Sequence, residues 1–445
     1  MALSATDLAQ SLLGLATRHG ATGADVMVSE GADTALTWLN GRLESFETAE
    51  NMALGLRVLV GQKQAVAVTT DTSSAALAAL AERVCAMAKA APDDPFARLS
   101  TKADWITDTP ALDLESKRQP DVATLKERAA ALEALMLDVK GVSRSGGSSA
   151  SAGWGGVTLA TSEGFLRTAA STSQGMSVTA LSGSGTNMVR ESAGHSACHG
   201  DDLRPMADLA HEAGERAARL QGATSTRGGP MPIVFDRRVA ATLVRHFLNA
   251  ISGDGVANGT SFLKDALNTP IFGPALTLID DPRRVRGLAS RPFDAEGLAT
   301  RTRTLVDRGV LTGWLLDLSS AARLNLPSTG NAGRGPGSLP SPTATNVHVV
   351  PGTATPDTLM ADIARGFYVT GLIGHGVNGI TGDYSRGATG FLIENGKLTR
   401  PVQEVTIAGN LKEMFRQMMP ANDLFFHGTV NSPTLRVDGM TLGGK

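Results

Sequence analysis

Leu8, Leu12 and Leu15 recur at helical spacing and Gly20 stops the run, so residues 5–19 are predicted to form a helix. Alternation then takes over. "ADVMVSE" and "TALTWLNGRLESFE" read as short strands, the second turned by Asn40-Gly41, and "LGLRVLVGQKQAVAVTT" as a hairpin around Gly61. An Ala-rich helix covers 73–90 and ends before Pro92. After the connector "APDDPFARLSTKADWITDTPALD" the same order returns: a helix near 121–139, strand-like "GGVTLATSEGFLRTAASTSQGMSVTAL", and a helix near 205–220. Helix, strands, helix occurring twice implies a duplication at the level of structure. "GATSTRGGP", 222–230, reads as an interdomain linker. Beyond it lie one strong helix, 237–252, many short strands and Gly-rich loops. "STGNAGRGPGSLPSP", 328–342, is expected to be a long mobile loop. The expected fold is α+β, with N-terminal modules at 1–92 and 112–222 and a β-rich domain with one central helix at 228–445.

Composition narrows the function. At 445 residues the chain is too long for one core. A formal net charge of -2 gives no reason to expect nucleic acid. Two cysteines, Cys85 and Cys198, cannot make a disulfide framework, which points to a reducing compartment. The N-terminus lacks a basic start followed by an apolar core, and no stretch approaches the roughly 20 apolar residues of a membrane span. A cytoplasmic location is expected.

Three stretches carry candidate chemistry. "LAHEAGERAARLQGA", 209–223, starts the zinc-peptidase motif H-E-x-x-H with His211 and Glu212, but Glu215 and not histidine stands at i+4. Met206, Leu209, Ala210, Ala213, Ala217 and Leu220 make the expected buried stripe. His211, Glu212, Glu215, Arg216 and Arg219 lie off it and are expected to form a solvated charged face. "HSACHG" sets Cys198 between His195 and His199 without a second ligand cluster, and reads as a strand end or loop. "GHGVNGITGDYSRGATG", 374–390, gathers His375, Asp383, Tyr384, Ser385 and Arg386 in a shaped loop that matches no phosphate loop or nucleophile elbow. His246 stands alone in the 237–252 helix, as a surface or packed residue.

Long segments resemble one known family almost end to end: "NGRLESFE", "GLRVLVG", "FLNAISGDGVANGTSFL", "GLASRPFDAEG", "GVLTGWLLDLSSAARLNLPSTGNAG", "GVNGITGDYSRGATGFLIENG" and "EVTIAGNLKEMF". The chain resembles the TldD/PmbA family in its PmbA/TldE branch, formerly called modulators of DNA gyrase. The resemblance implies a heteromeric zinc metallopeptidase acting on small or unfolded peptides. In that family the TldD-type subunit carries an H-E-x-x-x-H helix, whose two histidines and a later cysteine hold the metal. Registered on Gly253-Asp254 and Gly259-Thr260-Ser261, Val244 takes the place of the first histidine, Arg245 of the glutamate and Asn249 of the second histidine. The C-terminal stretch has no cysteine, and His427 lies near its place. The resemblance therefore implies a non-catalytic subunit without a metal or cofactor of its own. It would pair with a zinc-bearing TldD-like chain in a heterodimer or larger assembly, or form a homodimer when alone. Two other readings stay open: a stand-alone peptide- or protein-binding regulator, and a hydrolase using the 374–390 loop.

Overall fold

The structure, a computed structural model, describes residues 3–108 and 110–444, the side chain of Thr186 excepted; Thr109 of the predicted connector lies outside it. Helix α1 (Ala5–Arg18), strands β1 (Gly23–Leu39), β2 (Arg42–Val60) and β3 (Lys63–Thr69), and helix α2 (Ser74–Ala90) come first. Helix α3 (Val122–Leu137), strands β4 (Arg144–Thr161), β5 (Leu166–Ser182) and β6 (Val189–Ala197), and helix α4 (Met206–Arg219) follow. The strands form one antiparallel sheet in the order β3-β2-β1-β4-β5-β6. β1 and β4 join the halves, pairing from Asp25↔Thr161 to Trp38↔Ser148.

Strands expected to be short are continuous here. β1 runs through Gly31 because the backbone there is paired on both sides, and a Cβ on Gly31 would stand 2.8 Å from the Trp154 carbonyl. The Asn40-Gly41 turn is as read, with φ of 52° and 76°, the left-handed pair that a tight hairpin requires. Alternation along the strands then assigns the two faces. Val26, Val28, Leu54, Leu56 and Val58 pack under α1 and α2. On the same face, Leu36, Ala150 and Ala152 meet α3, while Met176, Val178 and Ala180 meet α4. The opposite face, with Met27 and Leu159, turns toward the C-terminal part of the chain, where Phe165 meets Phe293 edge to face at 5.5 Å.

That part begins with β7 (Gly229–Phe235) and α5 (Arg237–Ala250). Strands Lys397–Asn410, Asp383–Glu394, Arg365–Ile373, β7 and Leu435–Gly443 pair in that order. Thr406–Ala408 then pair with Thr441–Gly443, which closes the ring into a barrel and leaves no open edge there. The large core includes Phe247 of α5, whose ring lies 5.3 Å from Phe272 and 6.2 Å from Phe415. The molecule is a mixed α+β protein. Among the described residues no helix is long and apolar enough to cross a membrane.

The 328–342 segment is not a mobile loop. Ala332–Gly333 pairs with Ser341–Pro342, Asn331 and Ala332 are buried, and Arg334 reaches across to Asp25 at 2.5 Å. Its glycines and prolines serve close approach: a Cβ on Gly55 of β2 would stand 1.8 Å from the Pro336 carbonyl. The 222–230 segment is likewise strapped down, since Thr224 bridges to Val402 and Arg400 bonds Thr224 and Thr226.

Candidate functional site

Helix α5 starts where Asp236 caps it, its carboxylate accepting the Arg238 backbone N–H at 3.0 Å and the Tyr368 hydroxyl at 3.1 Å. Ala240, Leu243, Val244, Phe247 and Leu248 press one side into the core. Val244 is 3% exposed and sealed among these residues, whereas Arg245 and Asn249 face solvent. No zinc site fits here. Valine has no lone pair to offer and a guanidinium repels a dication. Among the described residues no group of three His, Cys, Asp or Glu converges to hold a metal ion.

His246 is half-buried, its ring 5.9 Å from Tyr384 in an edge-on contact. Burial, and secondarily Arg386, hold its pKa below the ordinary imidazole value, so it is neutral near pH 7. Tyr384 and Arg386 lie on the barrel strand Asp383–Glu394, not in a loop as expected, and burial drives the Tyr384 phenol well up. Neither His246 Nε2 nor the Tyr384 hydroxyl has a hydrogen-bond partner among the described residues. His375 stays exposed, and Asp383 is spent on Thr381 and Asn410. The 374–390 stretch thus contributes two packed side chains and no converging catalytic set.

The half motif on α4 corrects one expectation. His211 and Glu215 are solvated, with side-chain exposures of 65% and 58%, but Glu212 is 16% exposed and far from free. It accepts from Arg204 at 2.7 Å and from Arg216 at 2.5 Å. Burial pushes the Glu212 carboxyl up, yet the two guanidiniums outweigh it and hold it below its usual range. Beside this pair, Arg238 lies 3.1 Å from Asp236 and 3.6 Å from Glu191 of β6. The charged side of α4 therefore joins an ionic network with the start of α5. A cavity of about 640 Å³ lies between them, lined by His211, Glu212, Arg216, Asp236 and Arg237 among others. Helical periodicity alone could not see this, because Arg204, Glu191 and Arg238 lie on three other segments.

The "HSACHG" residues are brought to the same junction without forming a metal site. Cys198 is buried, and burial pushes its thiol up, away from the thiolate that a nucleophile needs. His199 bonds the Asp113 carbonyl at 2.9 Å. His195 and His427 line a second cleft, of about 320 Å³, with Arg284, Arg286 and Asn431. Burial keeps both imidazoles below their ordinary pKa.

Residues 24–88 match the PmbA/TldA metallopeptidase domain 1, residues 115–221 the PmbA/TldA metallopeptidase central domain, and residues 228–444 the PmbA/TldA metallopeptidase C-terminal domain. The chain is 31% identical to the metalloprotease PmbA of Escherichia coli O157:H7 over 95% of its own length and 92% of the relative's. It is 30% identical to the PmbA homolog of Haemophilus influenzae over 97% and 94%. A Bacteroides thetaiotaomicron crystal structure named as a modulator of DNA gyrase superposes with a TM-score of 0.90 at 25% identity, covering 98% of each chain. TldE from Thermococcus kodakarensis has the same fold, with a TM-score of 0.86 at 19% identity over 98% of this chain and 99% of that one.

Proposed function

The chain belongs to the PmbA/TldD family of metallopeptidases, and from that premise we propose that it is the non-catalytic subunit of a zinc peptidase. A TldD-like partner would supply the metal and the general base, and this chain would help to enclose small or unfolded peptides. One observation carries the proposal. At the family's metal helix the side chains are Val244, Arg245 and Asn249, the first in the core and the others in solvent. Zinc hydrolysis needs the metal, its bound water and a base together, and α5 provides none of the required donors. The name TldE on a structure of the same fold is consistent with a partner role.

The test is reconstitution. The purified chain should cleave no peptide, and mixing it with the TldD-like protein of the same genome should yield a co-eluting complex with chelator-sensitive peptidase activity. Replacing the partner's motif glutamate should abolish that activity, while Arg245→Ala here should leave it intact. Chelator-sensitive cleavage by the isolated chain, or a partner indifferent to its presence, would overturn the proposal.

A further inference from the structure

The outer face of the N-terminal sheet does not meet the C-terminal part flush. Between them lies a cavity of about 330 Å³, at the small end of the range for small-molecule sites. Its walls are mostly apolar, with Met27, Val157, Leu159 and Phe293 prominent, and four charged side chains, Glu30, Asp294, Arg291 and Arg334, complete the lining, with neither acid in an ion pair with either arginine among the described residues.

Those arginines are short of negative charge. The Arg334 side chain is 2% exposed and spends only Nη2, on Asp25. Asp25 is itself shared, since Arg57 bonds its other oxygen at 3.3 Å, so one carboxylate answers two buried guanidiniums. Arg291 has no salt bridge among the described residues and donates from Nη2 to the Thr343 carbonyl at 3.3 Å. The acids that draw on it are committed elsewhere: Asp294 accepts the backbone N–H groups of Glu296, Leu298 and Ala332, and Asp280 accepts from Asn331 and Thr345. The Nε atoms of Arg291 and Arg334 have no hydrogen-bond partner among the described residues. Uncompensated charge in a closed place is costly, and buried donors without acceptors ask for an occupant. Ser29 and Ser171 add hydroxyls to the same lining.

We infer that this cavity binds a small monocarboxylate with an apolar body. The carboxylate would complete the charge of Arg291 and Arg334, guanidinium to carboxylate being the strong charge-assisted pairing, and the body would lie on Met27, Leu159 and Phe293. Two sources share that chemistry, a short aliphatic acid and the free C-terminus of a peptide. The site is far in sequence from Val244, Arg245 and Asn249 and requires no partner subunit, so it stands or falls apart from the peptidase proposal.

Titration calorimetry on the full chain alone tests it, with hexanoate, N-acetyl-leucine and the neutral N-acetyl-leucinamide as probes. At least one carboxylate should bind and the amide should not; tighter hexanoate points to an aliphatic acid, tighter N-acetyl-leucine to a peptide C-terminus. Arg291→Gln should weaken binding at least tenfold. Because Arg334 also holds Asp25, its replacement risks the fold, so Ala169→Phe, which fills the cavity from β5, is the second variant and should abolish binding while the thermal transition is kept. No heat from either acid, equal binding of the amide, or unchanged affinity in Arg291→Gln would overturn the inference.

Discussion

Helices α4 and α5 make an instructive pair. α4 carries half the letters of a zinc helix, His211 and Glu212, at a place where no metal site forms. α5 occupies the place where the family resemblance puts the metal and carries none of the letters. Both are amphipathic and 14 residues long, so length and periodicity cannot tell them apart. What separates them is what the polar side meets. On α4 it meets Arg204 and the Arg238–Asp236–Glu191 group, and becomes an ionic strut between two parts of the molecule. On α5 the polar positions Arg245 and Asn249 meet solvent. A motif letter is thus informative only with its neighbours in space.

The largest effect should come from cutting the strut. Glu212→Ala leaves Arg204 and Arg216 facing each other without their shared acid, and should cost about 2–3 kcal/mol in chemical denaturation. A loss under about 0.5 kcal/mol would return α4 to the status of a solvated face.

The comparison can next be attacked from α5. The triple variant Val244→His, Arg245→Glu, Asn249→His restores the family letters, but it buries an imidazole in the core and should cost about 1–3 kcal/mol. It should still bind no stoichiometric zinc, because position 244 points into the core and no cysteine stands in the C-terminal stretch to complete the ligands. Metal analysis finding one zinc per chain would show that α5 can reshape into a site.

A smaller effect is expected from pH. Burial holds His195, His246 and His427 below the ordinary imidazole pKa of about 6.5. Below that value the unfolded chain takes up protons that the native one resists, so stability should fall as pH drops through 6.5 and level off above it. His246→Gln should flatten the slope in melts between pH 5.5 and 7.5, and an unchanged slope would mean that the imidazole beside Tyr384 is protonated freely.

Least of all should follow from His211→Ala and Arg245→Ala, each exposed and each within about 0.5 kcal/mol of the parent. The contrast between silent His211 and costly Glu212, adjacent on one helix, is the sharpest form of the comparison.

Much of the local structure was legible in the sequence. Leucine and alanine periodicity marked the five long helices, Asn40-Gly41 marked its turn, and the segments quoted above carried the family. These are short-range or matching signals, set by residues a few positions apart. What escaped depended on distant partners. The Gly- and Pro-rich 328–342 stretch looked unpackable because nothing nearby in sequence holds it, yet Asp25 and Gly55, some 300 positions earlier, do. Tyr384 and Arg386 sat among glycines that spell a loop, and barrel closure made them a strand. The sequence by itself determined which helices and turns form and to which family the chain belongs. Only the tertiary structure decided which charges are buried, because burial is a property of what folds against a residue and not of the residue itself.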